Sequence, residues 1–190
     1  MKFSDLKEPI RLYAGDIPPW RNDDIVGLSL TRDDGRHIKH DITNMLPLDD
    51  RSVDRFESES VFEYIAKIEL VSIINEIYRI LRVGGLFRLS VPDYRGPIMY
   101  ERCLKCDGKI YEDPFGGKGV MWFPTIESMV WLLEKTQFKN VVYLQYYMPN
   151  GTPVMNKINH SLGMVQRTSD FDSRVKDTGL PLSLVVDLVK

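Results

Sequence analysis

The residues of this chain best placed to do chemistry are a scattered set of carboxylates, hydroxyls and one glycine, each falling just after a short apolar run. Gly15-Asp16 follows Ile10 to Ala14, Ser29 lies near the end of IVGLSL, Asp41-Ile42 closes the stretch from His37, and Ser58-Glu59-Ser60 with Glu63 follows Val53. If those runs are strands of an open α/β sheet, their carboxyl ends line a common rim, where such sheets bind ligands. Each position also has a plain structural use: Gly15-Asp16 as a turn, Asp41 as a cap, Glu59 or Glu63 as a first-turn charge. Other reactive residues form no set. His37 and His40 are three apart and point to opposite faces of a strand, and His160 is remote. Cys103 and Cys106 make one Cys-x-x-Cys with no second pair, so no metal site is expected. Gly116-Gly117-Lys118-Gly119 lacks the Gly-Lys-Ser/Thr ending of a phosphate loop. Followed by Met121-Trp122-Phe123, it has the composition of a lid, although the two rings read first as packing residues.

The elements that must position these groups are legible as periodicities. Strands are expected over Ile10 to Ala14, Ile25 to Leu30, His37 to Ile42, Val53 to Ser58, Leu86 to Val91, Val141 to Tyr147 and Leu184 to Val189. Apolar residues at helical spacing predict an amphipathic helix over Ile65 to Leu81, stopped by Gly84-Gly85. A shorter helix is expected near Ile98 to Leu104, and another over Ile126 to Thr136 with Thr125 as its N-cap. Strands alternating with helices argue for a largely parallel sheet. The early connections are too short, and too rich in proline, for crossover helices, so the first helices of such a fold are expected to be replaced by loops.

At 190 residues, 43% hydrophobic and 27% charged, the chain has the length and composition of one soluble globular domain. Its net charge of -2 leaves no electrostatic footprint for nucleic acid. The first residues lack the apolar core of a signal peptide, and no stretch approaches the ~20 apolar residues of a membrane span. A cytoplasmic protein with a small-molecule substrate, no nucleic-acid or membrane partner and an undetermined oligomeric state is the resulting expectation.

The stretch HDITNMLPLDDRSVDRFESESVFEYI, with IYRILRVGG and LFRLSVPDY after it, resembles the second half of a class I S-adenosylmethionine-dependent methyltransferase domain. The resemblance spans roughly Ile10 to Pro92. It implies a Rossmann-like α/β fold with a mostly parallel seven-stranded sheet, S-adenosylmethionine as cofactor, and methyl transfer to a small-molecule or glycan-type acceptor. It also places the cofactor against Ala14, Gly15 and Asp16 after the first strand, Ser29 where the family carries an acid for the ribose, and Asp41 and Ile42 at the adenine. Glu59 lies in the stretch under the sulfonium, and Glu63 matches an acid the family usually has there, with Tyr64 in place of a usual histidine. The resemblance assigns no catalytic residue, because sulfonium methyl transfer needs mainly alignment. Ala14, Asp16, Ser29 and Tyr64 depart from the family pattern in the direction expected of a cofactor-free binding or assembly module, which is the alternative reading.

Overall fold

The structure, a computed structural model, describes residues 1–21, 23–105 and 119–190, with backbone alone for 102–105. Cys106 and the residues 116–118 of the glycine-rich segment lie outside it. In chain order the main elements are β1 (Arg11–Ala14), β2 (Val26–Ser29), β3 (His37–Lys39), β4 (Val53–Glu59), α1 (Lys67–Ile80), β5 (Leu81–Pro92), α2 (Pro97–Lys105), α3 (Ile126–Leu133), β6 (Asn140–Tyr147), β7 (Pro153–Met155) and β8 (Ser183–Val189).

The strands form one sheet in the order β3-β2-β1-β4-β5-β8-β6-β7. Pairs among β1 to β5 are parallel, while β8 runs antiparallel to both its neighbours. Strand order reverses between β1 and β4, which places the switch point of the sheet there. The expected seven strands become eight, because Pro153–Met155 folds back on β6 as a short edge strand. A three-residue run beginning with proline carries too little periodicity to be read as a strand.

The alternation of each strand separates two unlike faces. On one face Leu12, Leu28, Phe56, Phe87, Leu89, Val186 and Leu188 pack with Leu70, Ile73, Ile74 and Ile77 of α1 and with Met129 and Leu132 of α3. Phe87 centres this layer, with ring centroids 5.5 Å from Phe56, 5.7 Å from Phe62 and 6.4 Å from Phe138. Each such side chain contributes roughly 1.5–3 kcal/mol through burial. The helix α1 stops at Ile80, whose successor Leu81 is already extended at ψ 137°. The double glycine therefore does not end it. Gly84, at φ +77°, instead lets the chain turn inside the irregular start of β5, which pairs with β4 through a register shift. The cap on α3 is as expected: the Thr125 side chain accepts the Ser128 N–H and the Ser128 hydroxyl accepts the Thr125 N–H.

The opposite face is polar. Cross-strand pairing places His37, Gly27, Tyr13, Glu57, Arg88 and Asp187 in one row across β3, β2, β1, β4, β5 and β8. All are buried, Glu57 to 1% and Arg88 to 2% exposure. No α-helix covers them among the described residues. Instead the β1–β2 connection and the long segment from β7 to β8 lie over the row. Arg88 forms a two-pronged pair with Asp187, Nε to Oδ1 and Nη2 to Oδ2 both at 2.7 Å, and its Nη1 donates to the carbonyls of Asn159 and Gly163. Glu57 pairs with Arg21 and Arg55, each at 2.7 Å. His37 accepts the Ile17 N–H at Nε2 (3.0 Å) and faces Asp34 through Nδ1 (2.8 Å), which makes Nδ1 the protonated nitrogen.

Gly27 makes room for this arrangement. A Cβ there would sit 2.5 Å from His37 Cδ2 and 2.8 Å from the Gly15 carbonyl. Gly27→Ala is expected to cost about 1–3 kcal/mol by overpacking. Urea unfolding checks this, and an unchanged midpoint would mean that the two loops yield freely.

Candidate functional site at the strand ends

The sheet brings the proposed rim residues together. Gly15 N–H donates to the Leu28 carbonyl at 2.8 Å and His40 N–H to the Ser29 carbonyl at 2.8 Å, so the ends of β1, β2 and β3 are stitched side by side. Ala14 pairs with Leu28 and with Ser58, which places the end of β4 next in line. Gly15 has φ +99°, a conformation that favours glycine. Val61 packs close over it, 3.2 Å from where a Cβ would be. Asp16 is exposed, Asp41 half-buried and Ile42 buried.

Several polar atoms at this rim are already engaged by the chain. Ser29 Oγ accepts the N–H groups of Thr31 and Arg32 at 3.1 and 2.9 Å, which caps the β2–β3 turn. A capping hydroxyl in that position explains why serine stands there: it binds two backbone donors without bringing a charge into a site that is 1% exposed. Asp41 Oδ1 accepts from Thr43 N and Thr43 Oγ1, an Asx turn that leaves Oδ2 unused among the described residues. Glu59 accepts the backbone N–H groups of Gln166 and Arg167 at 3.1 and 2.8 Å.

Other polar atoms are buried without a hydrogen-bond partner among the described residues. Of the twelve such atoms, Ser58 Oγ, Ser60 Oγ, Glu63 Oε2 and Ser90 Oγ lie near the carboxyl ends of β4 and β5. Ser60 is bonded to Ser90 through its backbone and holds φ +54°, a left-handed conformation uncommon for serine. Orphan polar groups are rare in native interiors, and those at the strand ends are open to a ligand or to water. Glu63 is 1% exposed, and burial pushes its carboxyl up to about 7. Burial, then the neighbouring charge of Glu59, raises the Tyr13 hydroxyl as well. At the end of β5, Asp93 accepts from Arg95 N and Tyr147 N and is pushed up to about 6 by burial. Both of its oxygens are satisfied, so it joins β5 to β6 structurally.

Trp122 and Phe123 pack as expected. Trp122 donates from Nε1 to the Phe62 carbonyl at 3.0 Å, and the Phe123 ring lies 4.8 Å from Tyr94. A wider cleft of about 600 Å³ lies at the amino ends of β1 and β2, lined by Lys7, Arg11, Asp23 and Arg36. It is on the edge of the sheet away from the rim.

The methyltransferase-domain family model matches residues 24–89, from β2 into β5. Over nearly the whole chain, solved structures share the architecture. A S-adenosylmethionine-dependent methyltransferase from Archaeoglobus fulgidus superimposes with TM-score 0.58 at 14% identity, covering 97% of this chain and 87% of that one. This is the class I S-adenosylmethionine-dependent methyltransferase fold. A second such methyltransferase, from Thermotoga maritima and described as a possible histamine N-methyltransferase, gives TM-score 0.55 at 16% identity over 97% and 84%. A third is the 1,6-didemethyltoxoflavin-N1-methyltransferase of Burkholderia thailandensis, solved with its small-molecule ligand and S-adenosylhomocysteine bound; it gives 0.55 at 14% identity over 96% and 71%. No curated protein matches the chain.

Within the methyltransferase fold, the part that carried the sequence resemblance turns out to be self-supporting. Arg79, from Ile-Tyr-Arg-Ile-Leu, donates to the carbonyls of Leu46 and Leu48 and to Asp50, while Glu76 accepts Leu46 N–H. The Leu-Pro-Leu-Asp-Asp loop and the α1 helix thus fix each other. Sequence reasoning missed Tyr13, Val61 and Arg167 at the rim. Tyr13 reads as an ordinary strand residue, and Arg167 is separated from Glu59 by more than a hundred residues of chain, so no local spacing signals either. Among the described residues no helix is long and apolar enough to cross a membrane, and no cluster of His, Cys, Asp and Glu could hold a metal.

Proposed function

We propose that the chain transfers a methyl group from S-adenosylmethionine to a small-molecule acceptor, binding the cofactor over the carboxyl ends of β1, β2 and β3 and presenting its methyl group toward the end of β4. The observation that carries this reading is the side-by-side placement of the carboxyl ends of β1, β2, β3 and β4 at the strand-order reversal, where open sheets of this kind bind ligands. The residues present fit the cofactor in kind. Gly15 offers backbone that can be approached closely, Asp41 keeps a free Oδ2 with Ile42 beside it for adenine, and Glu59 and Glu63 suit the cationic end. When bound, the cofactor supplies an electrophilic methyl group; the chain's part is to align it with the acceptor and keep water away. A small acceptor agrees with the ligand held by the Burkholderia enzyme of the same fold.

A second reading has its own support. Ser29, Asp41 and Glu59 already spend acceptor capacity on the chain's own backbone, and Val61 sits against Gly15, as in a module that no longer binds the cofactor. Thermal melting decides between them. S-Adenosylhomocysteine at 100 times its dissociation constant adds ~2.7 kcal/mol and raises the melting temperature by several degrees. No shift at millimolar ligand would favour the binding module.

A further inference from the structure

We propose that Arg167, on the segment joining β7 to β8, holds the carboxylate of the methyl donor's amino acid end. This rests on the cofactor reading above and names a contact outside the part of the chain where the family pattern is recognisable.

Position comes first. The backbone N–H of Arg167 lies 2.8 Å from Glu59 Oε1, and that of Gln166 lies 3.1 Å from Oε2, so this stretch is fastened to the carboxyl end of β4 beside the strand-order reversal. Its neighbours hold it there: Val165 is buried to 1% exposure, Thr168 to 0%, and Thr168 Oγ1 donates to the Val165 carbonyl. Availability comes second. The Arg167 side chain is half-buried, and among the described residues its guanidinium makes no hydrogen bond or ion pair. Its charge bears on Glu59, Glu63 and Tyr13 at the ends of β1 and β4, and also on Asp172 of its own segment, so the guanidinium lies within reach of the rim.

The chemistry of the donor then selects the occupant. Its amino acid end carries an ammonium and a carboxylate next to a sulfonium. Glu59, Glu63 and Asp41 make the rim acidic, which suits both cations and repels the carboxylate. A guanidinium fork at the same rim removes that repulsion and matches a carboxylate with two parallel hydrogen bonds.

The test compares S-adenosylmethionine with its decarboxylated form, which differs only in lacking this carboxylate, by titration calorimetry on the full chain. In Arg167→Ala the affinity for S-adenosylmethionine is expected to fall roughly 10- to 100-fold, the loss typical of a charged hydrogen-bonded pair. Affinity for the decarboxylated ligand should stay within about twofold, because it never made that pair. The unliganded variant should melt within a few degrees of the wild type, since the side chain makes no hydrogen bond or ion pair among the described residues and acts on Glu59 and Glu63 through charge alone. An equal fall for both ligands, or none for S-adenosylmethionine, overturns the assignment while leaving the methyltransferase reading intact. A wild-type chain that binds neither ligand overturns both.

Discussion

Arg88→Ala lowers the free energy of unfolding by about 3–5 kcal/mol, enough to threaten folding at physiological temperature. Arg88 is 2% exposed and serves three partners at once: the Asp187 carboxylate and the carbonyls of Asn159 and Gly163. Removing it leaves a carboxylate and two carbonyls in the interior without donors. It also leaves a cavity under Gly163, whose backbone rests on Arg88 and Glu57. Urea unfolding at neutral pH measures the loss, and one under about 1 kcal/mol would mean that water enters and replaces the guanidinium. The double variant Arg88→Met, Asp187→Leu should recover part of the stability, because the ion pair is then exchanged as a whole for apolar groups while the Asn159 and Gly163 carbonyls still lack their donor.

Glu63→Gln makes the protein less sensitive to alkaline conditions. Burial raises the folded Glu63 carboxyl to about 7, against an ordinary value of 4.5, so between those pH values the native chain holds a proton that the unfolded chain has released. Stability therefore falls as pH rises through this window, by roughly 3 kcal/mol from this residue once it is fully ionised. Glutamine cannot ionise and removes that part of the loss. At pH 5 the variant and the wild type should be similar in stability; at pH 8 the variant should be the more stable. Asp93, pushed up to about 6 by burial, acts in the same direction and remains in both proteins, so the slope shrinks without vanishing. Parallel stability curves from pH 5 to 8 would show that Glu63 gains a cationic or hydrogen-bonding partner when it ionises.

What could be read from the sequence follows from what is local. Period-two and helical patterns placed β1, β2, β4, α1 and α3 within a few residues, and proline in short connections gave the missing crossover helices. The rim positions Gly15 and Ser29 were legible at strand ends, and the ends of β1, β2 and β3 do lie side by side, but β3 stops at Lys39 rather than running to Ile42, so Asp41 sits in the turn after it. The partners of these residues were not legible. Whether Ser29 faces a ligand or caps a turn depends on Thr31 and Arg32 adopting a tight bend, and the same residue types fit both. The polar row was hidden for another reason. Tyr13, Glu57, Arg88 and Asp187 look like solvent-facing alternation on four strands, and it is the β1–β2 connection and the segment between β7 and β8, neither with a periodicity of its own, that turn that face inward. Arg167 shares that obscurity, since a cation in an irregular stretch has no pattern to betray its address.

The covering segment rests partly on Ile158 and Val165 against Val185, and partly on backbone groups that meet Glu59 and Arg88, and this mixture sets how it can come away. Detaching an apolar cover would wet oily surface and invite aggregation. Lifting this one hands Glu59, Arg88 and Asp187 to water, which hydrates them well, and bares only the small apolar patch around Val185, so local opening exposes less oily surface than loss of a wholly apolar cover would.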